Sequence, residues 1–233
     1  GGSETLTGTN TYTGATSIDQ GGALALSGSG SIALSSGVAN NGVLDIAATN
    51  NGAEVRSLSG SGAVLLGGQT LTLTDAQDVF AGSIHGSGGL TIAAGTETLT
   101  GVNTHTGTTV VSQGATLALA GNGSIGNSRV QTDGTLDVSA STGGAAVQSL
   151  GGSGAVLLGG QTLTLTHAGD TFAGSIHGSG GLTIAAGTET LTGVNTHTGT
   201  TAVSQGAALV LAGNGSIGNS RVQTDGTLDV SAS

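Results

Sequence analysis

Residues 97–125 read ETLTGVNTHTGTTVVSQGATLALAGNGSI, and residues 189–217 repeat them with three exchanges. Outward from this stretch, residues 57–141 align with 149–233 at a fixed offset of 92, and 78 of the 85 positions are identical. The opening 56 residues are a more diverged copy: Glu4 to Gly8 matches Glu97 to Gly101, and Val38 to Ile46 matches Val130 to Val138. The chain is about two and a half copies of one unit, with no composition break. It reads as one continuous domain over 1–233, with copies at approximately 1–56, 57–148 and 149–233.

Inside the unit, apolar and polar residues alternate at Gln69 to Thr74, Leu90 to Ile92, Ala115 to Leu119 and Thr135 to Val138. A period of two gives each strand one apolar face. Turns at Gly60 to Gly62, Gly86 to Gly88, Gly114, Gly134 and Gly152 divide the unit into stretches of 26, 28, 20 and 18 residues, a mean of 23. One such stretch cannot bury its apolar face alone, but stacked neighbours can. The predicted fold is all-β: a parallel β-helix (β-solenoid) of about ten rungs, four to each 92-residue repeat. Equivalent residues of successive copies are then expected about 19 Å apart along the rod. The exchanges agree with this. Thr116 and Ala118 become Ala208 and Val210 at outward positions, while the inward Leu117 and Leu119 are kept as Leu209 and Leu211. Asp75, Gln77 and Val79 become His167, Gly169 and Thr171, which predicts an exposed loop.

Composition narrows the function. Of 233 residues 47 are Gly and three are aromatic, and there is no Pro, Cys, Met or Trp. Three arginines face 13 Asp and Glu, a net charge of −10. Phosphate neutralisation needs clustered cations, so nucleic-acid binding is not expected. An anionic membrane surface would repel the chain, and no apolar run approaches the ~20 residues of a membrane span. Without Cys there are no disulfides, thiol chemistry or Cys-type metal sites. The absence of Pro suits a fold in which most amides donate to the next rung.

The stretch from Glu97 to Ile125 resembles the passenger-associated transport repeat of bacterial autotransporters. The pattern recurs at 4–32, where Asn10 to Gly14 (NTYTG) matches it best, and at 189–217, while His105 and His197 stand where the family usually has Tyr. The resemblance implies a right-handed β-helix displayed outside a Gram-negative cell, exported through an outer-membrane barrel carried by the parent chain. No barrel segment is in this sequence, which is therefore expected to be a fragment of a larger passenger. Two kinds of role follow, the first being the expected function and the second the alternative. One is an adhesive rod that binds host or bacterial surfaces or associates with its own kind in aggregation and biofilm. The other is a spacer that also assists secretion by folding coil by coil.

The chemistry-bearing patterns are weak beside this. Gly121 to Gly126 is literally G-x-G-x-x-G, but a strand-like segment follows where a dinucleotide site needs a helix. The histidines at 85, 105, 167, 177 and 197 are expected to be solvent-facing loop residues, with no metal site. The carboxylates are dispersed, and no G-x-S-x-G elbow occurs. Neither catalysis nor a cofactor is expected. Asn10, Asn103 and Asn195 are expected to satisfy corner backbone groups. With Tyr12, His105 and His197 they form the expected candidate interaction surface. Exposed strand edges at the ends predict end-to-end association.

Overall fold

The computed structural model describes residues 1–232. Every element is a short strand, and every pairing between strands is parallel. The chain winds through about 12 turns of a β-solenoid. Three faces enclose a single core running along the rod.

The first face begins with Ser3–Leu6, Ala23–Gly28, Val43–Thr49, Ala63–Leu65 and Ser83–His85. It passes through the irregular segments around 104 and 126, where the amides of Thr104 and Gln148 donate to the carbonyls of Ile84 and Ser128. It ends with Ala145–Val147, Leu163–Leu165, Leu182–Ile184, Thr200–Val203 and Arg221–Thr224. The second face runs from Thr16–Ile18 through Val38–Asn40 and Leu58–Ser59, across the Gly60–Phe80 bridge, to Thr96–Leu99, Thr116–Gly121, Thr135–Ser141 and beyond. The third runs from Ala53–Val55 through Leu71–Leu73, Leu90–Ile92, Thr109–Val111 and Val130–Thr132, across the Gly152–Phe172 bridge, to Thr188–Leu191, Ala208–Ala212 and Thr227–Ala232.

The coil is shorter than the turn spacing suggested. Stacked partners are about 20 residues apart: Glu4 on Leu24, Leu24 on Leu44, Leu44 on Val64 and Val64 on Ile84. The rod therefore has about 12 turns where ten were expected, and is roughly 55 Å long at the spacing of paired strands. The glycine turns misled because not every coil corner carries the pattern used to divide the unit. Gly67, for example, takes a positive φ between the turns at Gly60 and Gly86. A 92-residue unit holds about four and two-thirds coils, not four. Its opening strand accordingly falls on a different face each time: Ser3–Leu6 on the first, Thr96–Leu99 on the second and Thr188–Leu191 on the third. Each copy is turned by about a third of a revolution from the one before.

Alternation places the core as expected. Leu71, Leu73, Leu90, Ile92, Leu117, Leu119, Leu136 and Val138 are fully buried, as are Phe80 and Phe172. Thr116 and Ala118 lie outward of Leu117 and Leu119, and their copies Ala208 and Val210 do the same. The segment 75–79 is exposed at Gln77 and Val79, but Ala76 turns inward and bridges to Gly95. Asp45, Asp137 and Asp229 point away from the core, and each accepts a hydrogen bond from the amide two residues on, at 2.9 Å.

Glycine is required where coils approach most closely. A Cβ on Gly82 would stand 1.9 Å from the carbonyl oxygen of Gly62 in the coil below.

Candidate functional site

The polar residues of the repeated motif gather at one corner of the coil, and in the second and third copies they lie inside it. Asn103 is 2 % exposed. Its amide nitrogen donates to the carbonyls of Gly101 at 3.0 Å and Ser124 at 3.1 Å, and its oxygen accepts from the amide of Ile84 at 3.0 Å. One side chain thus ties three successive coils. Asn195 repeats the set with Gly193, Ser216 and Ile176. Asn10 makes the two donor bonds, to Gly8 and Ser31. The expectation that these asparagines satisfy corner backbone groups holds.

Two residues further on, a chain of hydrogen bonds enters the wall. His105 Nε2 lies 2.9 Å from Thr109 Oγ1, which lies 2.7 Å from Ser128 Oγ, and Ser128 Oγ donates to the carbonyl of Gly107 at 2.6 Å. His197, Thr201, Ser220 and Gly199 repeat the chain. In the first copy Tyr12, Thr16, Ser35 and Gly14 form it. The direction of the protons follows from the far end. Gly107 offers only an acceptor, so Ser128 donates to it, Thr109 donates to Ser128, and His105 must donate from Nε2. That leaves Nδ1 as a bare acceptor, and it is buried without a partner. Burial holds His105 well below the usual imidazole range, at about 4, and lowers His197 too, so both rings are neutral at pH 7. A neutral Nε2–H and a phenol O–H are each a single donor, which is why Tyr12 and His105 can hold the same place.

Four of the six residues expected on an interaction surface are therefore not on the surface. Asn103, His105, Asn195 and His197 are between 0 and 2 % exposed. Their polar groups are consumed by the wall. Asn10 is half-buried, and only Tyr12, 41 % exposed, meets solvent broadly. The expectation of solvent-facing histidines likewise fails for His105 and His197. It describes His167 better, while His85 and His177 lie half-buried on the outer wall. His85 bonds Ser83 and Thr104, and His105 lies inside the same wall, so the two imidazoles face opposite sides. Among the described residues no group of three metal-ligating side chains forms.

The sequence reading passed over the buried carboxyls of Glu97 and Glu189. Both residues are fully buried; no described side chain bonds either carboxyl, and only the backbone of Leu58 for Glu97, and of Leu150 and Asp170 for Glu189, approaches them. Loss of water, followed by the nearby Asp78 carboxylate, pushes Glu97 up to about 9; burial and Asp170 do the same for Glu189. Both are thus neutral carboxylic acids at pH 7. The signal was present: Glu97 is in phase with Leu99, two residues on, and so shares its inward face.

The passenger-associated-transport-repeat family model matches the chain three times, over residues 1–26, 94–119 and 186–211. Each match contains one Asn with its Tyr or His two residues on. No curated protein and no solved structure matches the chain.

Proposed function

We propose, from its three matches to the passenger-associated-transport repeat, that this chain is an autotransporter passenger segment and serves as a cell-surface rod that spaces the passenger and aids its export by folding coil by coil. The reading assigns the segment no catalytic role and no cofactor. Its partners would be the rest of its own passenger and the parent chain's outer-membrane barrel.

The supporting observation is where the motif's polar side chains go. Asn103, His105, Thr109 and Ser128 bind their own and adjoining coils and leave almost nothing for a ligand. A coil that needs only its neighbour can be added to a growing rod one at a time, so ordering outside the membrane can draw the chain outward. One outward row favours the same reading. Along the second face the stacked outward residues are Val79, Thr98, Ala118, Asp137, Leu157 and His177. This row changes character at almost every step, whereas a zipper between two rods needs a continuous polar stripe.

The second reading is adhesion or self-association, with aggregation and biofilm as its outcome. It draws on the abundance of outward Thr and Ser and the low charge density, with Arg and Asp+Glu together 16 of 233 residues. One experiment separates the two. In the parent protein on living cells, residues 57–148 are deleted, and surface protein per cell and the settling rate are measured. A fall in surface protein supports export assistance, and no change in either supports the spacer. Unchanged surface protein with slower settling overturns the proposal in favour of adhesion.

A further inference from the structure

The two junctions between copies are not equivalent at one place. At the second junction Arg129 reaches across two coils to Asp170. Its Nε donates to Asp170 Oδ2 at 2.8 Å and its terminal nitrogen pairs with Oδ1. The Asp170 side chain is 6 % exposed beneath this guanidinium. The Gln131 side-chain amide lies over Gly151, where a Cβ would meet it at 2.2 Å, and stands 3.2 Å from the Arg129 guanidinium nitrogens. At the first junction, 92 residues earlier, the aspartate is kept as Asp78, but Gly37 stands in the place of Arg129, Ala39 in that of Gln131 and Ser59 in that of Gly151. An open groove of about 210 Å³ runs there, lined by Gly37, Ala39, Ser59 and Asp78 among others. It occupies the place that the Arg129 side chain fills in the next copy. Asp78 Oδ2 accepts from Ser57 Oγ at 2.5 Å, and Oδ1 accepts no hydrogen bond from a described side chain.

A second exchange shows what a simple loss of the pair looks like. Arg56 binds Asp75 at 2.7 Å at the first junction, and at the second the two positions are Gln148 and His167. There the acid disappears together with the arginine. At Asp78 the acid remains without its arginine.

We infer that the groove ending at Asp78 is a socket for a guanidinium group, supplied by an arginine side chain of another polypeptide. The occupant follows from the internal copy: the same aspartate at the end of the same path takes a fork of two nitrogens, which a planar guanidinium offers and an ammonium does not. The alkyl stem would lie along Gly37, Ala39 and Ser59, which line the groove leading to Asp78. This inference is independent of whether the rod is a spacer or an adhesin.

The test titrates the full 233-residue chain, labelled with ¹⁵N, with N-acetyl-arginine methylamide to about 50 mM, in the range expected of a single ion pair. Saturable amide shifts confined to Gly37, Ala39, Ser59 and Asp78 are expected, with the lysine analogue at least about threefold weaker. Asp78→Asn should abolish them while leaving the remaining amide spectrum in place. The triple variant Arg129→Gly, Gln131→Ala and Gly151→Ser gives the second junction the first junction's residues at these three positions and should add a second set of shifts around Asp170. No saturable shift, equal response to the lysine analogue, persistence in Asp78→Asn, or no second site in the triple variant would each overturn the inference.

Discussion

Glu97 and Glu189 hold the same place in successive copies, yet they lie on different faces of the rod. Glu97 stacks on Leu117 in the second face and Glu189 on Leu209 in the third. The 92-residue repeat of the sequence and the 20-residue period of the coil are incommensurate, so any feature carried once per unit spirals around the rod. A ladder made of one motif residue per copy cannot line up along one side.

The hydrogen-bond chain that begins at His105 gives a first prediction. His105→Phe removes the only donor to Thr109 Oγ1 inside the wall and should destabilise the chain by about 1–3 kcal/mol. Tyr12→Phe removes the equivalent donor where water can replace it, and should cost less than about 0.5 kcal/mol. Denaturant unfolding of the two variants measures the difference.

The buried acids and imidazoles set opposite slopes with pH. Glu97 and Glu189 titrate near 9 when folded against an ordinary glutamate value of 4.5, so their favourable contribution is complete below 4.5 and is lost as pH rises through 9. His105 titrates near 4 when folded, against an ordinary imidazole value of 6.5, so its contribution is complete above 6.5 and is lost as pH falls through 4. Between 4.5 and 6.5 the two slopes oppose one another. Above 6.5 only the carboxyls act, and stability should fall by up to about 1.4 kcal/mol per pH unit for each. Paired Glu97→Gln and Glu189→Gln substitutions should flatten the decline between pH 6.5 and 9 in a series of unfolding curves.

Close coil packing predicts a sharp contrast between glycines. Gly82→Ala forces a methyl against the Gly62 carbonyl and should cost about 1–3 kcal/mol or more. Gly169→Ala meets nothing within 4 Å, at a position where the preceding copy carries Gln77, and should be neutral within about 0.5 kcal/mol. Thermal unfolding of both variants decides this.

Much of the fold was legible. The alternation at Gln69 to Thr74 and Ala115 to Leu119 placed the core, and the repeat announced a stacked solenoid. The coil length was not legible, because glycine marks close approach as well as corners: Gly82 is needed for packing, Gly67 for its positive φ, and Gly169 for neither. The motif corner was half legible. Asn103 was expected to satisfy backbone groups and does. His105 was expected outside, since a histidine flanked by threonines in a Gly-rich segment reads as loop. Only the geometry shows that its Nε2–H replaces the hydroxyl of Tyr12. Glu97 could have been placed by its phase with Leu99, but an acid at an inward position runs against the usual cost of burying a charge, which proton uptake avoids.

The measurement that tests the coil period most directly uses the absence of native cysteine. Spin labels are placed at Thr72→Cys with Thr91→Cys, and at Thr72→Cys with Thr164→Cys, and their separations are read by pulsed dipolar spectroscopy and continuous-wave line broadening. Thr72 and Thr91 are stacked partners in adjacent coils and should show strong short-range broadening. Thr72 and Thr164 are repeat-equivalents on the third and first faces, about four and two-thirds coils apart, and should lie beyond about 25 Å. A separation of about 19 Å for the second pair, as four whole coils on one face would give, would contradict the account.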